Sequence, residues 1–257
     1  STVPQDQSYA VDWKVNEGTP GSFGSYRTAV HPNARINYNN FYLDVIPNGA
    51  HGSYGLMPDL VAYFIDGNQP DQPVNFVYGN PYPASYAKFA NATTAFTVPY
   101  QVPKPDGGTA STSGQGTLSS EDLLSGLRAQ PLVPAISPVR SPLLNGASAY
   151  LDQSIGPTPE VSWTPPAVGT PTFYSVRFRE IVYNPATGRA SRGSLVGRVM
   201  TQGTRVQVPP GLLRSGKYYF MLVTAIYQPN SSVQSAPYLL PWPGHSADSI
   251  SGLLTVP

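Results

Sequence analysis

The 257-residue chain contains no cysteine, which excludes disulfides, thiolate metal sites and cysteine nucleophiles. Histidine occurs only at positions 31, 51 and 245, at no spacing typical of a zinc site. Charged residues make up 11% of the chain, less than half of the roughly 25% usual in soluble domains. Because the formal net charge is only +1 and no run of Lys or Arg occurs, the sequence argues against nucleic-acid binding.

Long apolar runs are also missing. No stretch approaches the roughly 20 apolar residues that a membrane-spanning helix needs, so we expect no membrane span. The opening residues STVPQDQSYA lack the basic and apolar segments of a signal peptide, and we expect a processed protein or a fragment of one. Low charge together with many Tyr and Pro residues favours an extracellular or cell-surface location.

Aromatic residues and turn formers are abundant instead. The chain has 29 Pro, 24 Gly, 17 Tyr, 9 Phe and 3 Trp, a composition that indicates a folded, loop-rich protein rather than a disordered one. Apolar residues alternate with polar ones in YAVDWKV, in FYLDVIPNG and in TTAFTVPYQV, which is typical of strands with one buried face. We therefore predict an all-β fold in which residues 1–102 form a sandwich-like domain.

A polar segment separates this domain from the rest of the chain. Residues 103–120, PKPDGGTASTSGQGTLSS, have almost no apolar side chains, which predicts a Pro/Gly/Ser-rich linker or long exposed loop. The following SSEDLLSGL has a serine cap, acidic residues in its first turn and Leu123, Leu124 and Leu127 on one side, so we predict one short helix near 119–127. The linker with its helix spans residues 103–134.

Residues 135–257 carry a specific order of strand signals. A Trp stands on one strand, the next strand has a Tyr-x-apolar-x-aromatic pattern, and a Leu precedes by six residues a Tyr that opens a later strand. The residues in these positions, with the apolar residue and the alanine that follow the second Tyr, are Trp163, Tyr174, Val176, Phe178, Leu213, Tyr219, Val223 and Ala225. This half resembles a fibronectin type III domain, an immunoglobulin-like β-sandwich. Two connecting segments, NGASAYLDQSIGPTP and PYLLPWPGHSADSIS, are longer than that family's pattern.

The resemblance implies a role for one residue and a class of function. Tyr219 would be the corner tyrosine of the sandwich, with its ring in the core and its hydroxyl bonded to nearby backbone. The fold serves many unrelated roles, so the resemblance implies a scaffold or adhesion module rather than a catalyst.

The strand GKYYFMLVTAIY is apolar on both faces, unlike a strand with one wet face. If Tyr219 faces the core, the opposite face carries Tyr218, Phe220, Leu222 and Ile226, on a sheet that also presents Arg177 and Arg179. We predict an interface there. Its cover would be the N-terminal domain, the predicted helix or another chain, with cover from within the chain as the first choice. The alternative is that the two arginine stems lie over a partly wet patch.

Two polar or aromatic clusters suggest binding chemistry. Asp66, Asn68 and Asp71 lie in one turn and offer oxygen ligands for calcium, although such residues also cap turns without a metal. The tyrosines of YGNPYPASY, at positions 78, 82 and 86, are suited to stacking on sugar rings or to packing a turn. We predict no catalytic residue, no metal site and no cofactor.

The sequence therefore favours a non-enzymatic extracellular structural or adhesion protein that presents β-sandwich surfaces in a larger assembly such as a sheath, filament or envelope layer. Its partners would be other protein subunits or copies of the same chain. Glycans are a further class of partner, and nucleic acids are not expected. The alternative is a carbohydrate-binding accessory module of a secreted protein. A hydrolase without a recognisable site is the third choice.

Overall fold

The structure is a computed structural model that describes residues 4, 6–47, 59–127, 131–232, 234–235 and 242–257. Strands dominate it, and helical structure in the described residues is limited to a 3-10 turn at Gly24–Tyr26 and the short α-helix α1 (Arg27–Val30). The predicted all-β fold is confirmed. Within these residues no helix has both the length and the apolar character to span a membrane.

The strands fall into an N-terminal and a C-terminal series. The first series is β1 (Gln7–Trp13), β2 (Arg35–Ile46), β3 (Asp59–Asp66), β4 (Gln72–Tyr78), β5 (Ala87–Pro103) and β6 (Thr109–Leu123). The second series is β7 (Arg140–Leu144), β8 (Ala147–Ser148), β9 (Gln153–Ser154), β10 (Glu160–Thr164), β11 (Phe173–Asn184), β12 (Arg189–Thr201), β13 (Arg205–Gln207), β14 (Lys217–Tyr227), β15 (Gly244–Ile250) and β16 (Leu254–Val256).

One ten-stranded sheet contains strands of both series. Its order is β12-β11-β14-β15-β6-β5-β2-β3, with β16 beside β14 and β9 beside β16. The antiparallel pair β15–β6, from Gly244 opposite Glu121 to Ala247 opposite Leu118, connects the two halves. Two smaller sheets, β1–β4 and β13-β10-β7-β8, complete the fold. The division into two independent domains stays a prediction.

Aromatic side chains fill the space between the β1–β4 pair and the large sheet. The ring of Phe41 on β2 lies 6.0 Å from that of Trp13 on β1 and 5.3 Å from that of Phe76 on β4. Trp13 and Phe41 are fully buried. The alternation seen in the sequence of β1 thus places its large side chains in a core, as a strand with one buried face requires.

The smaller C-terminal sheet packs on the large sheet through the residues that carry the resemblance. Trp163 of β10 lies 5.1 Å from the ring of Tyr174 on β11. The buried ring of Tyr219 lies in the core, and its hydroxyl accepts a hydrogen bond of 3.0 Å from the backbone N–H of Arg214. This is the geometry that a corner tyrosine has, although membership of the family stays a prediction.

The predicted linker and helix are wrong over residues 109–123. These residues form β6, which pairs with β5 from Phe89 opposite Leu123 to Pro103 opposite Thr109. A turn, not a helix, follows at 124–127. Small residues at alternate positions, among them Ala110, Gly114 and Gly116, face inward, so the strand packs closely without large apolar side chains. Ser120, predicted as a helix cap, is a buried strand residue.

Candidate functional site

The outward face of β14 is divided into a covered half and an open half. In the covered half, Phe220 and Leu222 are 0% and 2% exposed. The cover comes from the same chain, because the hairpin β5–β6 folds over this face and brings the Tyr100 ring to 5.6 Å from the Phe220 ring. The Tyr100 hydroxyl donates a hydrogen bond of 2.8 Å to the carbonyl of Ser251, which holds the hairpin in place.

Two glycines of β6 permit this close approach. A Cβ atom on Gly114 would lie 2.9 Å from the Tyr100 ring and 3.1 Å from the Phe220 ring. One on Gly116 would lie 2.9 Å from the side chain of Ile250. Glycine within a strand often marks such a site of close packing. The glycines that made this segment look like a linker are therefore required by its position over β14.

The other predicted interface residues lie at the borders of the covered half. Arg177 is opposite Leu222 and Arg179 is opposite Phe220 in the β11–β14 register, so both arginines share the face as predicted. Tyr218 lies beside the turn that follows β5, and Ile226 lines a cleft. The strand pattern predicted that all six residues share one face, but it did not predict that this face is open beyond Leu222.

The open half is a cleft of about 340 Å³. Its floor is formed by hydroxyl and carboxylate side chains of the three central strands, and β12 and β6 supply its two sides. The floor residues are Ser175, Thr224, Ser246 and Asp248. Such a volume lies at the lower end of the range for small-molecule sites. On this face of β14, Thr224 follows Leu222 at the point where the hairpin cover ends, and the apolar Ile226 lies beyond it in the cleft.

Asp248 organises the centre of the cleft. One carboxylate oxygen accepts hydrogen bonds from Arg177 Nη2 at 2.7 Å and from Thr224 Oγ1 at 2.6 Å, and the other accepts one from the backbone N–H of Thr117 at 3.0 Å. Arg177 Nη2 also donates to Thr224 Oγ1 at 2.9 Å. This network joins β11, β14, β15 and β6, and it leaves Asp248 fully engaged.

Positive charge exceeds negative charge on the β12 side. Arg198 stands directly opposite Arg177 in the β11–β12 register, an arrangement of like charges that is unfavourable without a counter-ion. Partial desolvation and then repulsion by Arg177 lower the pKa of Arg198. Desolvation also lowers the pKa of Arg179, with further contributions from Arg192, Arg177 and Arg198. We call Arg177, Arg179, Arg192 and Arg198 the arginine cluster.

Two buried polar side chains of the cleft have atoms without a hydrogen-bond partner in the described residues. They are Ser175 Oγ and His245 Nδ1, on residues only 3% and 8% exposed. Burial lowers the pKa of His245 to about 4, so the imidazole is neutral at pH 7, and its ring stacks on Tyr227 at 5.9 Å. Because these two atoms have no partner, Ser175 and His245 do not form the hydrogen-bonded nucleophile–base pair of a serine hydrolase.

Trp242 forms an aromatic wall on the β6 side. Its indole N–H donates a hydrogen bond of 2.5 Å to Glu121, and its ring stacks on Phe89 at 4.7 Å. The other carboxylate oxygen of Glu121 accepts a hydrogen bond of 3.0 Å from Asn91. The cleft therefore has arginines on one side and a carboxylate with an aromatic ring on the other.

The turn that contains Asp66, Asn68 and Asp71, considered above for calcium binding, holds the backbone of residues 15–17 instead. Asp71 accepts hydrogen bonds from the backbone N–H groups of Val15 and Asn16 at 3.1 and 3.0 Å, and Asn68 accepts one from that of Glu17 at 2.9 Å. Asp66 is the last residue of β3. Within the described part of the chain no group of three or more His, Cys, Asp or Glu residues is arranged to hold a metal. The geometry supports the turn-capping interpretation.

The tyrosines suggested for sugar stacking do not form one platform. Tyr78 is buried, while Tyr82 and Tyr86 stack on each other at 6.1 Å. Buried His31 bridges two backbone groups, the carbonyl of Tyr150 and the N–H of Asn33. His51 lies outside the described residues. The better aromatic surface, Trp242, comes from the segment between β14 and β15, which drew attention in the sequence only for its length.

No protein-family model matches the chain, and no curated protein matches it.

Proposed function

We propose that this protein is a non-enzymatic extracellular structural or adhesion protein that presents β-sandwich surfaces in a larger assembly. The observation that carries this proposal is the edge of the large sheet at β3. Within the described residues β3 pairs with β2 alone, and its interior, LVAYFI, contains neither charge nor proline.

Natural proteins protect sheet edges with lysine, proline, bulges or covering loops, because an apolar edge recruits further strands. On β3, Phe64 is 56% exposed and contacts Tyr42 at 5.3 Å, so the apolar surface continues onto β2. We infer that a second copy of this chain pairs with this edge. The low charge of the chain, 11%, favours repeated contacts of this kind.

Sedimentation velocity of the purified chain over a wide concentration range tests the proposal. We expect concentration-dependent self-association that Phe64→Lys weakens by at least about tenfold, because a charge at the centre of the contact must be desolvated. Leu151→Lys is the matched control, since Leu151 is 61% exposed but lies in a turn. A wild-type chain that stays monomeric throughout, or equal effects of both variants, would contradict the proposal.

The cleft supports a second candidate function, carbohydrate binding. Sugar rings need an aromatic surface together with hydroxyl, carboxylate and amide partners, and the cleft offers Trp242 beside Ser119, Thr224 and Glu121. A glycan array tests this function. Dose-dependent binding that is lost in Trp242→Ala supports it, and absence of binding to any glycan counts against it.

A further inference from the structure

Several buried polar atoms around the cleft form no hydrogen bond with the described residues. Ser175 Oγ and His245 Nδ1 are buried without partners in the described residues, and so is Arg177 Nε. Buried polar atoms are almost always hydrogen-bonded in folded proteins, and leaving one unpaired costs about 1–3 kcal/mol. Unpaired atoms around one cavity of ligand size indicate a site prepared for a polar ligand.

Two members of the arginine cluster, Arg177 and Arg198, line the cleft, and they define the charge of that ligand. Asp248 is the only carboxylate within hydrogen-bonding distance of the cluster in the described residues, and it is bonded to Arg177. The side chain of Arg198, exposed on β12 and lining the cleft, forms no ion pair or hydrogen bond with any described residue. A ligand anion at this side would relieve the repulsion between Arg198 and Arg177, and guanidinium groups match carboxylates in shape and donor geometry.

The opposite side of the cleft defines the rest of the ligand. Trp242 presents an aromatic surface, Glu121 has carboxylate oxygens that accept hydrogen bonds, and Ser119 and Ser246 add hydroxyls that donate or accept. A molecule that satisfies both sides has a carboxylate at one end, several hydroxyls, and apolar C–H groups to lie against a ring. A uronic acid has all three.

We propose that the cleft binds an acidic sugar unit of a glycan, with its carboxylate at Arg198 and Arg177 and its hydroxyls toward Ser175, Ser119 and Glu121. This inference rests on the second candidate function, carbohydrate binding, and specifies its substrate class. It is independent of assembly through the β3 edge, which lies at the far end of the sheet.

Isothermal titration of the full chain with three related probes tests the charge requirement. The probes are glucuronic acid, its uncharged amide and glucose. We expect glucuronic acid to bind at least about tenfold more tightly than the other two, since hydrogen bonds between charged groups are stronger than neutral ones. Its affinity should fall as salt is raised, because the rim arginine is exposed to screening.

Variants locate the site. Arg198→Gln should remove the preference for glucuronic acid over its amide and glucose. Arg189→Gln is the matched control, because Arg189 is also exposed on β12 but does not line the cleft, and it should change neither affinity. Ser175→Ala should weaken binding of all three sugars by several-fold, since the Ser175 hydroxyl contacts the sugar rather than its charge.

The outcomes separate the two levels of the proposal. Equal affinity for glucuronic acid, its amide and glucose would overturn the carboxylate inference while carbohydrate binding stands. Glutarate is titrated as a fourth probe, and glutarate binding as tightly as glucuronic acid would overturn the sugar part, because a simple anion would then suffice. Binding of none of the sugars would overturn both the inference and the second candidate function.

Discussion

The covered and open halves of one sheet face differ in chemistry as they differ in cover. Phe220 and Leu222 lie under the hairpin β5–β6, whereas Thr224, two residues farther along the same strand, bonds to Asp248 in the cleft. The surroundings of this face of β14 thus change from core to cleft between Leu222 and Thr224. A strand that is apolar on both faces can therefore be covered by its own chain along only part of its length.

Removing the ring of Phe220 breaks the covered half and has the largest expected effect. Phe220→Ala should lower the free energy of unfolding by about 3–5 kcal/mol, because it leaves a cavity beneath Tyr100. Ile226→Ala, in the open half, should cost only about 1 kcal/mol, since Ile226 is partly exposed. Urea denaturation measures both, and equal costs would show that the two halves do not differ in cover.

Removing the charge of Asp248 tests whether the open half is held by its polar network. Asp248→Asn should lower the free energy of unfolding by about 3 kcal/mol, because it leaves the partly buried Arg177 without its counter-ion. Glu160→Gln is the control, as Glu160 pairs with the exposed Arg205 at 3.4 Å, and it should cost less than about 1 kcal/mol. A negligible cost for Asp248→Asn would remove the proposed role of the network.

Acidification should affect the open half through His245. Its pKa is about 4 in the folded protein and about 6.5 when unfolded, so the unfolded state binds more protons between these values. The free energy of unfolding contributed by this group therefore falls as the pH drops from 6.5 to 4, by about 2–3 kcal/mol in total.

The difference between wild type and His245→Gln isolates this contribution from other titrating groups, among them Asp44, whose pKa burial raises to about 8. The stability of the variant relative to wild type should rise as the pH falls through this range. A constant difference from pH 7 to pH 4 would contradict the buried, neutral imidazole.

A substitution at Gly114 tests how closely the hairpin lies on the covered half, and it has the smallest expected effect on stability. Gly114→Ala should lower the free energy of unfolding by about 1–2 kcal/mol, because its Cβ would meet the rings of Tyr100 and Phe220. Ser113→Ala, at the exposed neighbouring position, should be nearly neutral. A stabilising Gly114→Ala would indicate that the hairpin does not lie on β14.

The sequence predicted the parts of this architecture that depend on large side chains. Alternating aromatic residues identified the β-rich N-terminal half. The resemblance to a fibronectin type III domain implied a bond between the Tyr219 hydroxyl and nearby backbone, and the N–H of Arg214 makes that bond. The apolar second face of β14 indicated a cover, and Phe220 is covered from within the chain.

The sequence failed where small residues form the structure. In β6, Gly114 and Gly116 resemble linker residues, yet a strand that passes closely over the side chains of β14 and β15 needs small residues there. Its buried positions recur at every second residue from Gly114 to Ser120, and that period was the available signal. The cleft could not be predicted, because Arg198, Asp248 and Trp242 come together only through the pairing of distant strands in the large sheet.

Nuclear Overhauser contacts of the Phe220 ring test the cover of β14 by the hairpin most directly. We predict cross-peaks from the Phe220 ring protons to the Tyr100 ring and to the Gly114 Hα protons, since those groups lie in van der Waals contact. If the Phe220 ring shows no contact with either residue and is accessible to a soluble paramagnetic probe, the hairpin does not cover this face and the account is wrong.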